Sequence, residues 1–200
     1  EIMESFEKEA GLGFLGNKLY FSGQTLLGMA ELGKNGVQVR RVIEFYDPRW
    51  DPMKRKLRKF WPWLGADSRA IKYVKPFFHQ MNIYRSKVYV AATEYNEVWE
   101  LDEDLNLLRR IVVQPHLQDY NHVNNVFCDG EAFYVCLNRY GQRNGYGGYA
   151  KFDMDWTELE RRTIGWGSHA LSVIEGEIVN LCSSAGGIKQ VYHPHRAGLM

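Results

Sequence analysis

One pattern constrains the fold of this chain more than any other. A polar or small stretch, an apolar pair, a tight turn and a second apolar run occur in that order four times. The segments are AGLGFLGNKLYFSG from Ala10, HQMNIYRSKVYVAA from His79, HVNNVFCDGEAFYVC from His122 and HALSVIEGEIVNLC from His169. The apolar pairs are Phe14-Leu15, Ile83-Tyr84, Val126-Phe127 and Val173-Ile174. The turns are Gly16-Asn17, Arg85-Ser86, Asp129-Gly130 and Glu175-Gly176. Short runs rich in β-branched and aromatic residues, joined by such turns, read as β-hairpins.

The segment after each hairpin repeats as well. NEVWELDEDLNLLRRIVV (96–113) and GGYAKFDMDWTELERRTIG (147–165) each give a strand, an acidic turn and another strand. Trp99 to Asp102 aligns with Ala150 to Asp153, and Leu107 to Ile111 with Leu159 to Thr163. The first unit has LLGMAELGKNGVQVRRVIEF (26–45), and the last has GGIKQVYHPH (186–195), one strand short. The last three units start 43 and 47 residues apart. That spacing predicts an all-β fold, a β-propeller of four-stranded antiparallel blades. Four blades fall in this chain, near 10–48, 79–115, 122–166 and 169–200, in a single domain over 1–200. A helical repeat conflicts with the alternating apolar pattern. A β-sandwich is the alternative, but it does not explain the recurrence of His at one place. The absent outer strand has two sources: residues 1–10 supply it, or the chain belongs to a larger ring. The defended range is four to six blades.

Four residues before the apolar pair stand His79, His122 and His169, with Ala10 in the first unit. One residue before it stand Asn82, Asn125 and Ser172, with Gly13 in the first unit. First strands line the channel of a propeller, so these positions are expected to converge on its mouth. Three readings stay open. The imidazoles hold a divalent transition metal with an open coordination position. They hydrogen-bond a neighbouring blade and seal the ring. Or, with the Asn and Ser groups, they contact an organic ligand.

Other features are less specific. Residues 49–78 interrupt the repeat with nine Lys and Arg against two Asp up to Lys75, interleaved with Trp50, Phe60, Trp61 and Trp63. This insert either contacts an anionic surface or packs its aromatics on the propeller flank. NRYGQRNGYGGY (138–149) is a Gly- and Tyr-rich loop whose tyrosines, Tyr146 among them, are candidates for contacting a sugar or partner. His193 and His195 share a face if they lie on a strand. Asp102, Asp104, Asp153 and Asp155 belong to turns, so no catalytic carboxylate pair is indicated. Cys128, Cys136 and Cys182 match no zinc or redox spacing and read as free thiols, which fits a reducing compartment. No apolar run is long enough to span a membrane as a helix. A net charge of +1 disfavours a surface that coats nucleic acid. The expected partners are therefore a small molecule, a glycan or a protein at the propeller face. The chain opens at Glu1 rather than Met, so a leader was removed or the chain is a piece of a longer protein.

YNHVNNVFCDGEAFYV and GSHALSVIEGEIVNLCSSAGGI resemble the six-bladed propeller class that includes NHL-like and streptogramin-lyase-like proteins. They are also similar to an uncharacterised bacterial propeller family whose blades open with His-x-Asn or His-Ser. The resemblance covers roughly residues 79–190. It implies a propeller fold, and the bacterial family brings no established activity with it; ligand or partner binding at a His-lined mouth is the expectation drawn from the repeated histidines themselves. From the streptogramin-type lyases it implies, as the alternative, a metal-dependent lyase or hydrolase acting on a carbohydrate or small natural product. His122 or His169 is then the comparable base, with no acidic metal ligand at a matching position.

Overall fold

A computed structural model describes residues 11–23, 25–45, 76–114, 121–138, 146–174, 177–183 and 189–192. These form fifteen strands. The first sheet comprises β1 (Leu12–Leu15), β2 (Lys18–Ser22), β3 (Leu26–Gly33) and β4 (Gly36–Glu44). The second comprises β5 (Phe78–Tyr84), β6 (Lys87–Ala92), β7 (Glu97–Leu101) and β8 (Leu107–Val112), with a 3₁₀ turn at Thr93–Tyr95. The third comprises β9 (Val123–Cys128), β10 (Phe133–Leu137), β11 (Tyr146–Phe152) and β12 (Glu158–Trp166). The fourth comprises β13 (Ser168–Ile174), β14 (Glu177–Ser183) and β15 (Lys189–Tyr192), three strands among the described residues.

Every sheet is an antiparallel meander in sequence order. The turn chemistry explains why. Gly16 at φ 59° and the Arg85-Ser86 pair at φ 48° and 59° adopt the left-handed geometry of two-residue hairpins. The two acidic turns are built alike. Asp102 Oδ1 accepts from the backbone N–H of Asp104 and Asn106, and Asp153 Oδ1 from those of Asp155 and Thr157. These carboxylates are spent on turn geometry, as expected of Asp between strands.

The first strands of the sheets neighbour one another: β5 contacts both β1 and β9, and β9 contacts β13. The sheets then pack face on face. Tyr20, Leu27 and Met29 of the first meet Phe78, Val90 and Trp99 of the second. Tyr89, Ala91 and Val98 on the reverse of the second meet Val126, Phe133 and Val135 of the third. Tyr134, Cys136 and Tyr149 on the reverse of the third meet Leu171 and Ile178 of the fourth. Alternation along each strand sends successive residues into different interfaces, so both faces must be apolar. That is why the strands read as apolar blocks rather than as apolar-polar alternation.

Hydroxyl groups stitch the sheets together at one end. Ser22 Oγ accepts from Gly11 N–H at 2.9 Å and donates to the carbonyl of His79 at 2.6 Å. Thr93 Oγ1 donates to the carbonyl of Val123 at 2.6 Å. On the outer side, Arg161 donates to the carbonyl of Val113 and to Gln114 Oε1. Residues 1–10, most of the basic insert (46–75), the centre of the Gly/Tyr loop (139–145), and His193 and His195 lie outside the described residues.

Candidate functional site

The ladder register fixes which residues are equivalent between sheets. Phe78, Val123 and Ser168 open the three inner strands, paired with Ala92, Leu137 and Cys182. A bulge comes next in each, and past it Met81, Val126 and Leu171 pair with Val90, Val135 and Asn180. His79, Asn124 and His169 therefore share the bulge region, one residue after the strand start. His122 does not share it. It immediately precedes β9, as Phe77 precedes β5 and Gly167 precedes β13. Backbone pairing agrees: Thr93 N–H bonds the carbonyl of Phe77 and Asn138 N–H that of His122.

The alignment of His122 with His79 and His169 is thus corrected by two residues. The cause is turn length. The β5–β6 turn has only Arg85 and Ser86 between its strands, whereas β9 and β10 are joined through residues 129–132. An alignment anchored on the apolar pair is therefore out by two along the whole strand, because Ile83 is equivalent to Cys128 rather than Val126. The same slip affects the second ring. Asn82 is equivalent to Phe127 and Ser172, whereas Asn125 is equivalent to Gln80 and Ala170.

Two of the three imidazoles still meet. His79 and His122 lie edge to face with ring centroids 5.2 Å apart, and Phe77 packs on His79 at 5.5 Å. His79 is buried and His122 half-buried, so the pair presents one accessible ring at this end of the inner strands. His169 is half-buried on β13. Among the described residues no three His, Cys, Asp or Glu side chains are grouped so that they could hold a metal ion.

The backbone before β5, β9 and β13 is left-handed: φ is 50° at Phe77, 50° at His122 and 59° at Gly167. Glycine adopts this without strain, whereas Phe and His do so at a cost. At His122 the strained backbone aims the imidazole at His79.

The polar surroundings come from several elements. Ser22, Thr93, Asn96, Asn121, Asn124 and Ser168 are all buried near the ends of the first and second strands. Asn121 N–H bonds Asn96 Oδ1 at 2.9 Å and ties the approach to β9 to the second sheet. Asn125 Nδ2 donates to Gln80 Oε1, linking equivalent positions of neighbouring inner strands. Oδ1 of Asn82, Oδ1 of Asn125 and both polar atoms of Asn124 are buried with no hydrogen-bond partner among the described residues. Reasoning from sequence misses Asn124, Gln80 and Phe77. The Asn124-Asn125 doublet at a strand start is the one signal that points toward them. Ser172 is half-buried on β13. Tyr146 opens β11, but its side chain is outside the described residues. Cys136 is buried and Cys128 half-buried. Burial pushes the Cys128 thiol up, which keeps it protonated and unsuited to nucleophilic chemistry.

No helix among the described residues is long and apolar enough to cross a membrane. No protein-family model matches the chain, and no curated protein matches it. Solved structures do match. A protein of unknown function from Bacteroides caccae is 12% identical, with 88% of this chain and 56% of that one covered, at a TM-score of 0.56. BamB from Moraxella catarrhalis is 13% identical, with 90% and 42% covered, at 0.54. A streptogramin B lyase is 12% identical, with 94% and 55% covered, at 0.52. The chain spans about half the length of these structures. At such identities the likeness speaks for architecture alone, and with the four stacked meanders it establishes that the chain has the all-β fold of a β-propeller, its sheets being the blades.

Proposed function

We propose that this chain is a binding propeller that takes a hydroxyl-rich small molecule of the sugar class where its inner strands begin. The observation that carries this reading is unmet hydrogen-bonding capacity on those strands. Asn82, Asn124 and Asn125 bury amide atoms with no partner among the described residues. Buried polar atoms without partners are rare and costly, so such a cluster marks a place for a guest's polar groups or the water beneath them. Amides and imidazoles offer both donors and acceptors, which matches a ligand carrying many hydroxyls. His122 supplies the accessible edge, backed by His79 and by the Phe77 ring that packs on it at a 47° tilt. Of the remaining candidates, His169 and Ser172 extend the same rim into the fourth blade, and Tyr146 is the candidate on β11. A metal-dependent lyase or hydrolase finds no ligand set among the described residues.

A panel of mono- and disaccharides screened by ligand-observed NMR tests the reading. At least one sugar is expected to bind, and His122→Gly is expected to abolish that binding. The substitution places at residue 122 the residue that blade four uses before its inner strand, so the fold is retained and its melting temperature shows this. A panel without a binder, or binding that survives both His122→Gly and Asn125→Ala, would overturn the proposal.

A further inference from the structure

The amide groups of the inner strands have a common polarity, and one residue sets it. Asn125 Nδ2 donates to Gln80 Oε1 across the junction of blades two and three. The register makes these two residues equivalent, each beside the bulge of its strand. The bond spends the donor end of the Asn125 amide on the protein. The other end, Oδ1, is buried with no hydrogen-bond partner among the described residues. Gln80 therefore decides which end of Asn125 is presented. An acceptor at position 80 draws the nitrogen and leaves the oxygen for a guest, whereas a donor there would reverse the amide.

The same polarity recurs along the strands. Asn82, two residues further along β5, buries its own Oδ1 without a partner among the described residues, and Asn124 buries one oxygen and one nitrogen in that state. Three of these four amide atoms are acceptors, so what the strands lack is mainly donors. Charge points the same way. β1, β5, β9 and β13 carry no Lys, Arg, Asp or Glu, so no side-chain cation on these strands fills the acceptors or repels a positive guest. No Lys or Arg is buried among the described residues, whereas Glu94, Glu97 and Glu100 are. Glu94 belongs to the 3₁₀ turn at this end, where its N–H bonds the Pro76 carbonyl just ahead of β5.

Different sugars meet such a set of acceptors differently. A hydroxyl brings one donor and is itself an acceptor. A protonated amine brings three donors, no acceptor and a positive charge, and charge-assisted bonds are the stronger ones. A buried ammonium is tolerated only where it is hydrogen-bonded, which amide oxygens provide. A carboxylate brings acceptors alone and sets oxygen against oxygen, a repulsion that serves selectivity. Resting on the sugar site proposed above, we infer that Gln80 fixes the polarity of the Asn125 amide and that the site thereby selects a sugar carrying a protonated amine over neutral and acidic sugars. Gln80 is a positioning residue, acting through Asn125.

Ligand-observed NMR at neutral pH, with glucosamine, glucose and glucuronic acid as probes, tests the inference. Glucosamine is expected to bind roughly tenfold tighter than glucose, the worth of one charge-assisted bond, and glucuronic acid not to bind. Gln80→Lys sets a donor and a positive charge against Asn125, so glucosamine binding should be lost and glucuronic acid binding gained. Gln80→Met keeps the length without the acceptor and should bring glucosamine level with glucose. Gln80→Glu remains an acceptor and should preserve the preference. Gln80 is half-buried, and the melting temperatures of the variants show that the fold is retained. Equal binding of glucosamine and glucose by the parent, or a preference that neither Gln80→Lys nor Gln80→Met alters, overturns the inference and leaves the sugar site standing. Binding of none of the three sugars, together with an empty wider panel, removes the site itself and the inference with it.

Discussion

Thr93 Oγ1 lies 2.6 Å from the carbonyl oxygen of Val123, so a side chain at the end of one blade's second strand bonds the backbone that opens the next blade. Ser22 holds the equivalent position in blade one and bonds the carbonyl of His79 in the same way. Both hydroxyls are wholly buried. Thr93→Val keeps the shape and removes the donor, leaving a buried carbonyl short of a partner. The expected cost is about 1–3 kcal/mol, read from urea denaturation midpoints. Thr93→Ser restores the hydroxyl and should recover most of it. A Val variant as stable as the parent, with the loss confined to Thr93→Ser, would show that the methyl group, not the hydrogen bond, matters here.

The same junction admits no side chain at Gly11. A Cβ there would stand 2.6 Å from the His79 carbonyl oxygen and 2.8 Å from Gln80 Cα, both backbone atoms. Backbone cannot swing away as the end of a side chain can. Gly11→Ala is expected to cost roughly 1–3 kcal/mol as an overpacking change. Gly147→Ala should do likewise between blades three and four, since its Cβ would lie 2.4 Å from the Ser168 nitrogen. By contrast, Gly33 meets nothing closer than 3.9 Å, so Gly33→Ala should be near neutral. Thermal melts of the three variants give the comparison.

Glu100 is 3% exposed and binds Lys87 at 2.5 Å and Arg109 at 2.7 Å. Burial pushes its carboxyl up, but the two cations outweigh burial and hold it below the usual carboxylate range. A carboxylate whose native pKa is depressed stabilises the fold above its free pKa and loses that contribution as pH falls through the native value. Stability should therefore drop below about pH 4.5, where free carboxylates protonate. Glu100→Gln should cost roughly 1.5–3 kcal/mol at neutral pH and flatten that acid limb. Both cations are about half exposed, which favours the lower end of the range. Denaturation midpoints at neutral and acidic pH measure both effects.

Much of the architecture is legible in the sequence because its signals are local. Turn residues and apolar blocks mark the strands, and Asp102 and Asp153 mark equivalent outer turns. Register across a blade is harder to read. It depends on loop length and bulges, which no single residue announces, so an alignment on the apolar pairs puts His122 two positions away from its true equivalents Phe77 and Gly167. The outer arginines slip likewise. Arg110 pairs across from Trp99 and Arg161 across from Ala150, which makes those two equivalent rather than Arg109 and Arg161. The meeting of His79 with His122 arises across a blade boundary and depends on a left-handed residue before β9. Sequence shows the histidines but not that backbone. Asn124 is hidden for a related reason. A bulge turns its amide into the interior, where simple alternation from Val123 offers no such position.

At the alkaline end, Tyr89 decides the outcome. Its ring packs on Phe133 at 4.7 Å and on Trp156 at 5.9 Å, inside the junction of blades two and three. Burial, reinforced by the charge of Glu100, pushes its phenol up to about 12. An unfolded tyrosine ionises near pH 10. Below that pH the phenol is neutral in both states and stability is unaffected. Above it the unfolded chain releases the proton while the native one holds it, so stability falls as pH rises toward 12. Tyr149, raised by burial and by its bond to Glu160, adds to the same slope. Tyr20 and Tyr134 are raised by burial as well, so Tyr89→Phe removes one of several such ionisations. The pH dependence of the urea midpoint between about pH 9.5 and 11.5 should become shallower in this variant without vanishing. An unchanged slope would mean that this phenol ionises in the native state as freely as in water, contrary to its place between two aromatic rings.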